Sequence, residues 1–198
     1  MRITGGIFCR RQIKAPKGEC RPTQDMVREA LFSIIGPRIG GSRFLDLFAG
    51  SGAIGLEALS RGAESVCWVE SNRRILENLK DNVANICGNE KSCDSPHKVR
   101  FFGGDALSFI KKGLESQQFD IIFADPPYDR EEKKEWLSRI LGILADGNTL
   151  APGGLFIMEQ SSGEELREDI AWDLIKDRVY GSTRLRFFVR KERQDIIQ

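Results

Sequence analysis

The chain has 198 residues, of which 40% are hydrophobic and 30% charged, with a net charge of +1; this is the balance of a globular protein with one core and a small appendage, and it excludes a disordered or fibrous chain. No apolar run reaches the ~20 residues needed to span a bilayer, and Met1-Arg2-Ile3-Thr4-Gly5-Gly6 lacks the apolar stretch of a secretory leader, so a cytoplasmic protein without membrane attachment is expected. The five cysteines include no Cys-x-x-Cys pair and His97 is the only histidine, which suggests neither a disulfide framework nor a zinc site, and argues against a Ser/His/Asp triad.

The first residues, Arg2 to Lys14, place Gly5-Gly6 between short β-leaning stretches and read as a small hairpin or extended arm. Residues 1–43 carry nine Lys/Arg against three acids, a net +6 on a body of net −5; on charge alone, a polyanion contact and a solvated surface are equally good readings. Pro16, Gly18 and Pro22 mark a loop. Thr23 is placed as the N-cap of a helix carrying Val27, Ala30, Leu31 and Ile34, which Gly36-Pro37 stops.

From Arg43 the pattern repeats as strand, turn, helix. The expected strands are 44–48, 65–69, 99–102, 119–124 and 154–158, and the expected helices 53–61, 73–85, 106–115 and 131–145. Two further strands, 174–180 and 185–189, flank Gly181-Ser182-Thr183 as a terminal hairpin. The polar stretch 87–97 reads as a surface loop. Alternation of this kind predicts an α/β fold with a doubly wound, mostly parallel seven-stranded sheet, closed by the antiparallel hairpin. The expected organisation is a basic arm over residues 1–20, a Rossmann-like domain over 21–190 and a charged tail over 191–198.

Asp46-Leu47-Phe48-Ala49-Gly50-Ser51-Gly52-Ala53-Ile54-Gly55 sets Gly-x-Gly-x-x-Gly between a strand and a helix. Glycines there allow a tight turn and a close approach of backbone to ligand. Glu70 ends the second strand about 20 residues on, where an acid accepts hydrogen bonds from ribose hydroxyls. A pyrophosphate cofactor fits poorly, because Asp46 just before the turn would repel it; a carboxylate suits a cation such as the amino-acid end of S-adenosylmethionine. Asp105, after the third strand, can hydrogen-bond an adenine amino group, serve as a helix N-cap, or do both. The candidate cofactor-binding set is Asp46, Phe48, Ala49, Gly50, Ser51, Gly52, Gly55, Glu70, Ser71, Asp105 and Ala106, and no metal site is expected.

Asp125-Pro126-Pro127-Tyr128 follows directly after the fourth strand, at the end of the sheet where ligands bind. The prolines fix the backbone and remove two N–H donors. What remains is a cluster of acceptors with one aromatic ring, suited to a planar amine. Asp125 and the Pro126 carbonyl would hold the amine hydrogens and Tyr128 would stack on the base, a contact worth roughly 1–3 kcal/mol. An exocyclic amine is a poor nucleophile because its lone pair is delocalised. Acceptors that grip its hydrogens favour a pyramidal nitrogen, and orientation then lowers the barrier to methyl transfer.

These motifs resemble the RsmD family of bacterial 16S ribosomal RNA guanine-N2 methyltransferases over nearly the whole chain. The glycine loop and the Asp-Pro-Pro-Tyr tetrapeptide are shared with amino-methyltransferases more widely. More specific is the stretch from Arg21-Pro22-Thr23-Gln24-Asp25 to Arg28-Glu29-Ala30-Leu31-Phe32, which is similar to a signature of that family. Cys9-Arg10 stands where the family usually has Arg-Gly, and Met26 where it has Arg. The resemblance implies that Asp46, Gly50, Gly52, Glu70 and Asp105 contact S-adenosylmethionine, which leaves as S-adenosylhomocysteine. It implies that Asp125, Pro126, Pro127 and Tyr128 hold the target guanine. It also implies that the N-terminal region (Arg2, Arg10, Arg11, Lys14, Arg21, Thr23 and Arg28 as candidate contacts) meets 16S ribosomal RNA in an assembling small subunit, and nothing in the sequence demands more than a monomer. The competing readings are a DNA adenine-N6 methyltransferase, disfavoured by the lack of a separate target-recognition domain, a non-catalytic RNA-binding assembly factor, and a nicotinamide dehydrogenase, disfavoured by Asp46.

Overall fold

The computed structural model describes residues 1–15, 22–88, 98–113, 117–127, 133–164 and 170–192. They fall into two compact units, Met1–Ala106 and Leu107–Gln198. Seven strands form one mixed sheet, as the alternating pattern predicts. None of the described helices is long and apolar enough to cross a membrane.

The first unit opens with the arm, where Arg2 and Gln12 form an antiparallel bridge. Around it Ile3 N donates to Arg11 O at 3.0 Å and Ile13 N to Met1 O at 3.0 Å. Helix α1 (Pro22–Ile35) follows and continues into a short 3₁₀ helix, Gly36–Ile39. Proline, not Thr23, begins α1. Pro22 has no N–H to leave unsatisfied and its fixed φ suits the first turn, so Thr23 lies inside the helix rather than capping it.

Then come β1 (Arg43–Leu47), α2 (Ala53–Ser60), β2 (Ser65–Glu70), α3 (Arg73–Cys87) and β3 (Lys98–Gly103). The strands run parallel in the order β3-β2-β1. All six residues of β2 are buried, as expected of a parallel strand covered on both faces. Asn72 caps α3, its side-chain oxygen accepting from Arg74 N at 2.9 Å and Ile75 N at 3.3 Å. The stretch read as a loop from Cys87 begins as helix, because α3 keeps its apolar stripe through Ile86 before Gly88 ends it at φ 85°. The rest of that stretch lies outside the described residues.

The second unit contains α4 (Ala106–Lys112, starting at the boundary), β4 (Phe119–Ala124), α5 (Lys133–Asp146), β5 (Leu150–Ser161), β6 (Trp172–Tyr180) and β7 (Thr183–Arg190). Its strands are ordered β4-β5-β7-β6, with β4 and β5 parallel and the last two pairings antiparallel. The expected C-terminal hairpin is β6-β7. Strand β5 is longer than its apolar stretch suggests, because Pro152-Gly153 is absorbed at an irregularity opposite Phe119–Ile121 instead of forming a turn. The core gathers Phe156, which stacks on Phe188 at 5.9 Å and meets Trp172 edge-on at 6.3 Å. The Trp172 indole donates to Leu141 O at 3.2 Å, joining α5 to the sheet.

Candidate active site

In the first unit the glycine loop leaves β1 and enters α2 at the C-terminal ends of β1 and β2. Asp46 is 1% exposed and its Oδ2 accepts from Gly55 N at 3.0 Å. The carboxylate expected to face a ligand cation therefore also secures the first turn of α2, where negative charge is favoured. Phe48, at φ 62°, occupies the left-handed region without being glycine, a conformation that costs roughly 1–2 kcal/mol and collects at ligand sites. Gly50 is at φ 54°, and a Cβ there would meet nothing within 4 Å. The space beside it is open. Gly55 is needed for the opposite reason, since a Cβ would lie 2.2 Å from Trp68 Nε1. Helix α2 thus rests directly on the indole, whose buried N–H has no hydrogen-bond partner among the described residues.

Glu70 ends β2, and its carboxylate accepts from Gly50 N at 3.0 Å and Asn72 N at 2.8 Å. One acid fixes the glycine loop on one side and the start of α3 on the other, and a carboxylate has acceptor sites beyond these two. Ala49 and Gly52 are buried in the loop, Phe48 and Ser51 are half-buried, and Ser71 is exposed beyond β2. Asp105 is exposed immediately before α4, and Ala106 opens that helix. A turn with open space beside Gly50, flanked by Asp46 and Glu70, fits an adenosyl cofactor with a cationic amino-acid end.

The buried Cys67 thiol on β2 is pushed up to about 12, chiefly by burial, with Arg100 pulling down and Asp46 adding to the rise. It is held as the thiol, so it is not a nucleophile.

In the second unit Asp125 follows the last residue of β4 and is half-buried; Pro126 is buried and Pro127 exposed. Tyr128 lies outside the described residues. A small cleft is lined by Pro126, Pro127, Trp136, Met158, Glu159, Gln160 and Glu164. Glu159 was not legible as a site residue. It belongs to no motif, and only the pairing of Ala124 with Met158 brings it level with Asp125. Burial first, and then the charge of Asp125, hold its carboxyl well above the usual carboxylate range.

The basic residues of the N-terminal region divide. Arg2 and Arg10 are exposed and, with Ile3, Thr4, Cys9 and Glu29, line an open groove. Lys14 is exposed, while its backbone is gripped by the Asn82 amide on α3, which accepts from Lys14 N and donates to Lys14 O, each at 3.0 Å, and donates to Ser51 O at 3.0 Å. Arg11 lies over the Phe8 ring at 5.5 Å and donates to Ile86 O. Arg28 is 3% exposed. Its guanidinium pairs with Glu57 at 3.2 Å and Asp25 at 2.9 Å and donates to Arg2 O, so in this structure it holds the arm and is shielded from solvent. Arg21 and the Thr23 side chain lie outside the description.

Glu57 is the centre of that arrangement. It is fully buried and accepts from Thr4 N, Thr4 Oγ1 and Gly5 N, each at 2.8 Å, and from Arg61 Nε at 2.8 Å as well as from Arg28. Ser60 adds two more ties to the arm, its carbonyl accepting from Ile7 N at 2.8 Å and its hydroxyl from Phe8 N at 2.9 Å.

The family model described as "Conserved hypothetical protein 95" matches residues 1–189. Ribosomal RNA small subunit methyltransferase D of Haemophilus influenzae is 31% identical, over 95% of this chain and 93% of that protein. The protein of the same name from Escherichia coli K12 is 34% identical, over 96% and 90%. The solved structure of Escherichia coli yhhF is 33% identical and superposes with a TM-score of 0.79, covering 96% of this chain and 98% of that one.

Proposed function

This chain belongs to the conserved hypothetical protein 95 family, that of the ribosomal RNA small subunit methyltransferases D, and from that premise we propose that it transfers a methyl group from S-adenosylmethionine to the N2 amine of a guanine in 16S ribosomal RNA of the cytoplasmic small subunit. The observation that carries the reading is Asp125-Pro126-Pro127 at the C-terminal end of a parallel strand in a chain of this family. Asp46, Gly50 and Glu70 are assigned to the cofactor, which supplies, when bound, a methyl group activated by a sulfonium. Asp125 and the Pro126 carbonyl are assigned to the amine hydrogens, with Tyr128 stacked on the base. The proton that the amine loses on methylation would pass to Asp125 or to water. A base in a helix has to be extruded to reach such a pocket, and a loop base less so. Arg2 and Arg10, exposed at the groove, are assigned to RNA phosphates.

Labelled methyl transfer to small subunits lacking the modification, to free ribosomal RNA and to duplex DNA tests this. N2-methylguanosine in the subunit or RNA sample is expected. N6-methyladenine in DNA would move the protein to another class, and no label anywhere would make it a silent RNA-binding factor.

For the cofactor assignment, Glu70→Ala is expected to weaken S-adenosylhomocysteine binding by about tenfold to a hundredfold, the range for a lost hydrogen bond to a charged group. The loss combines removed ribose contacts with release of the Gly50 N–H. An unchanged Kd in calorimetric titration would remove Glu70 from the site.

A further inference from the structure

Glu159 sits one residue beyond Met158, the register partner of Ala124, which sets its carboxyl level with Asp125 at the ends of neighbouring strands. It lines the same cleft as Pro126 and Pro127. Among the described residues this carboxyl makes no hydrogen bond. The other charged groups nearby are committed elsewhere. Glu164 accepts from Gln160 Nε2 and Ser161 N. Arg186 donates to Gln160 Oε1 and Glu164 O and pairs with Asp177, and by strand alternation it shares the face of Met158 and Gln160, opposite that of Glu159.

Two neighbouring carboxyls cannot both ionise cheaply, and burial and the charge of Asp125 act on Glu159 in the same direction. The pair then offers complementary chemistry: Asp125 is an acceptor only, whereas a neutral Glu159 has an O–H to give. The amine of guanine is flanked by N3, an acceptor that the Asp125 carboxylate and the Pro126 carbonyl, themselves acceptors, cannot satisfy.

We propose that Glu159 is a base-contacting residue of this pocket, its carboxyl donating a hydrogen bond to N3 of the target guanine. The proposal rests on the guanine-N2 reading above. The contact serves binding rather than the chemical step. A donor on N3 draws electron density away from the amine, so it grips the base without making the nitrogen more nucleophilic.

The test uses the full chain and reconstituted subunits in which the methylated guanosine, once mapped by nucleoside analysis, is replaced by 3-deazaguanosine, which keeps the amine and lacks N3. The expected results are that Glu159→Ala raises KM about tenfold with kcat within about threefold, the size of one hydrogen bond, and that Glu159→Gln, whose amide still donates, recovers most of the loss. The deaza substitution is expected to raise KM about tenfold for the wild type and to leave Glu159→Ala unchanged. An equal deaza penalty in both proteins, or a Glu159→Ala KM within twofold of wild type, overturns the contact while leaving the guanine reading intact. Failure of the wild type to form N2-methylguanosine overturns both. Since Glu159→Gln has nearly the shape of the native side chain, it also separates loss of contact from loss of fold.

Discussion

Asp125→Ala is expected to lower methyl transfer by about two to three orders of magnitude, the effect of removing one preorganised group from a reacting centre, while the thermal transition stays within a few degrees of wild type. Stability is expected to hold because of where the side chain sits. It follows the buried run of β4 instead of belonging to it, and its negative charge is one of the two causes that push Glu159 up. Removing it takes away an acceptor and one of the two causes that keep Glu159 protonated, and leaves the apolar run of β4 intact. Asp125→Asn is expected to fall between the two proteins, keeping one carbonyl acceptor without the charge. Single-turnover rates beside calorimetric melts check both halves. Wild-type turnover from Asp125→Ala would remove the residue from the chemistry, and an unfolded Asp125→Ala would show that the group is structural.

Glu57→Ala is expected to be the most destabilising single change in the first unit. The carboxylate is fully buried and receives Thr4, Gly5, Arg28 and Arg61. Removing it leaves Arg28, 3% exposed, with Asp25 as its one remaining counter-charge among the described residues. Breaking a buried pair from one side costs roughly 3–5 kcal/mol, because the charge left behind is uncompensated. At about 2–4 °C per kcal/mol for a chain of this size, the transition is expected to fall by roughly 10 °C. The arm is expected to loosen first, with trypsin cutting after Arg10 and Arg11 well below the melting temperature. Glu57→Gln keeps the acceptor oxygen but not the charge, and is expected to be intermediate. A shift under 2 °C with unchanged proteolysis would mean the arm is held by Ile3 and Ile13, both buried, and not by the carboxylate.

What the sequence reveals here depends on how local the signal is. Strand β4 has the bounds expected of it, because an apolar run between polar residues and Asp125-Pro126-Pro127 leaves one reading. The glycine loop and the strand-end Glu70 are equally local. The burial of Arg28, a candidate RNA contact, is not legible, because it depends on Glu57, 29 residues away. Strand β5 was expected only over its apolar run 154–158, and its start at Leu150 shows only in the pairing with β4. Glu159 gave no signal, since its meaning lies in strand register. The hidden features share one property: each depends on a residue distant in sequence.

The arm's attachments also set an order of assembly. Its backbone is held by residues 52 to 68 positions downstream, on α2 and α3, and loops of that length must close before those bonds can form. During synthesis residues 1–15 therefore emerge before their partners on α2 and α3 and complete their docking only once α3 has been made. In a growing chain the arm is made before the helices that receive it, and the Asn82 amide that receives Lys14 also binds the carbonyl of Ser51, so the glycine loop gains that neighbour only when α3 is in place.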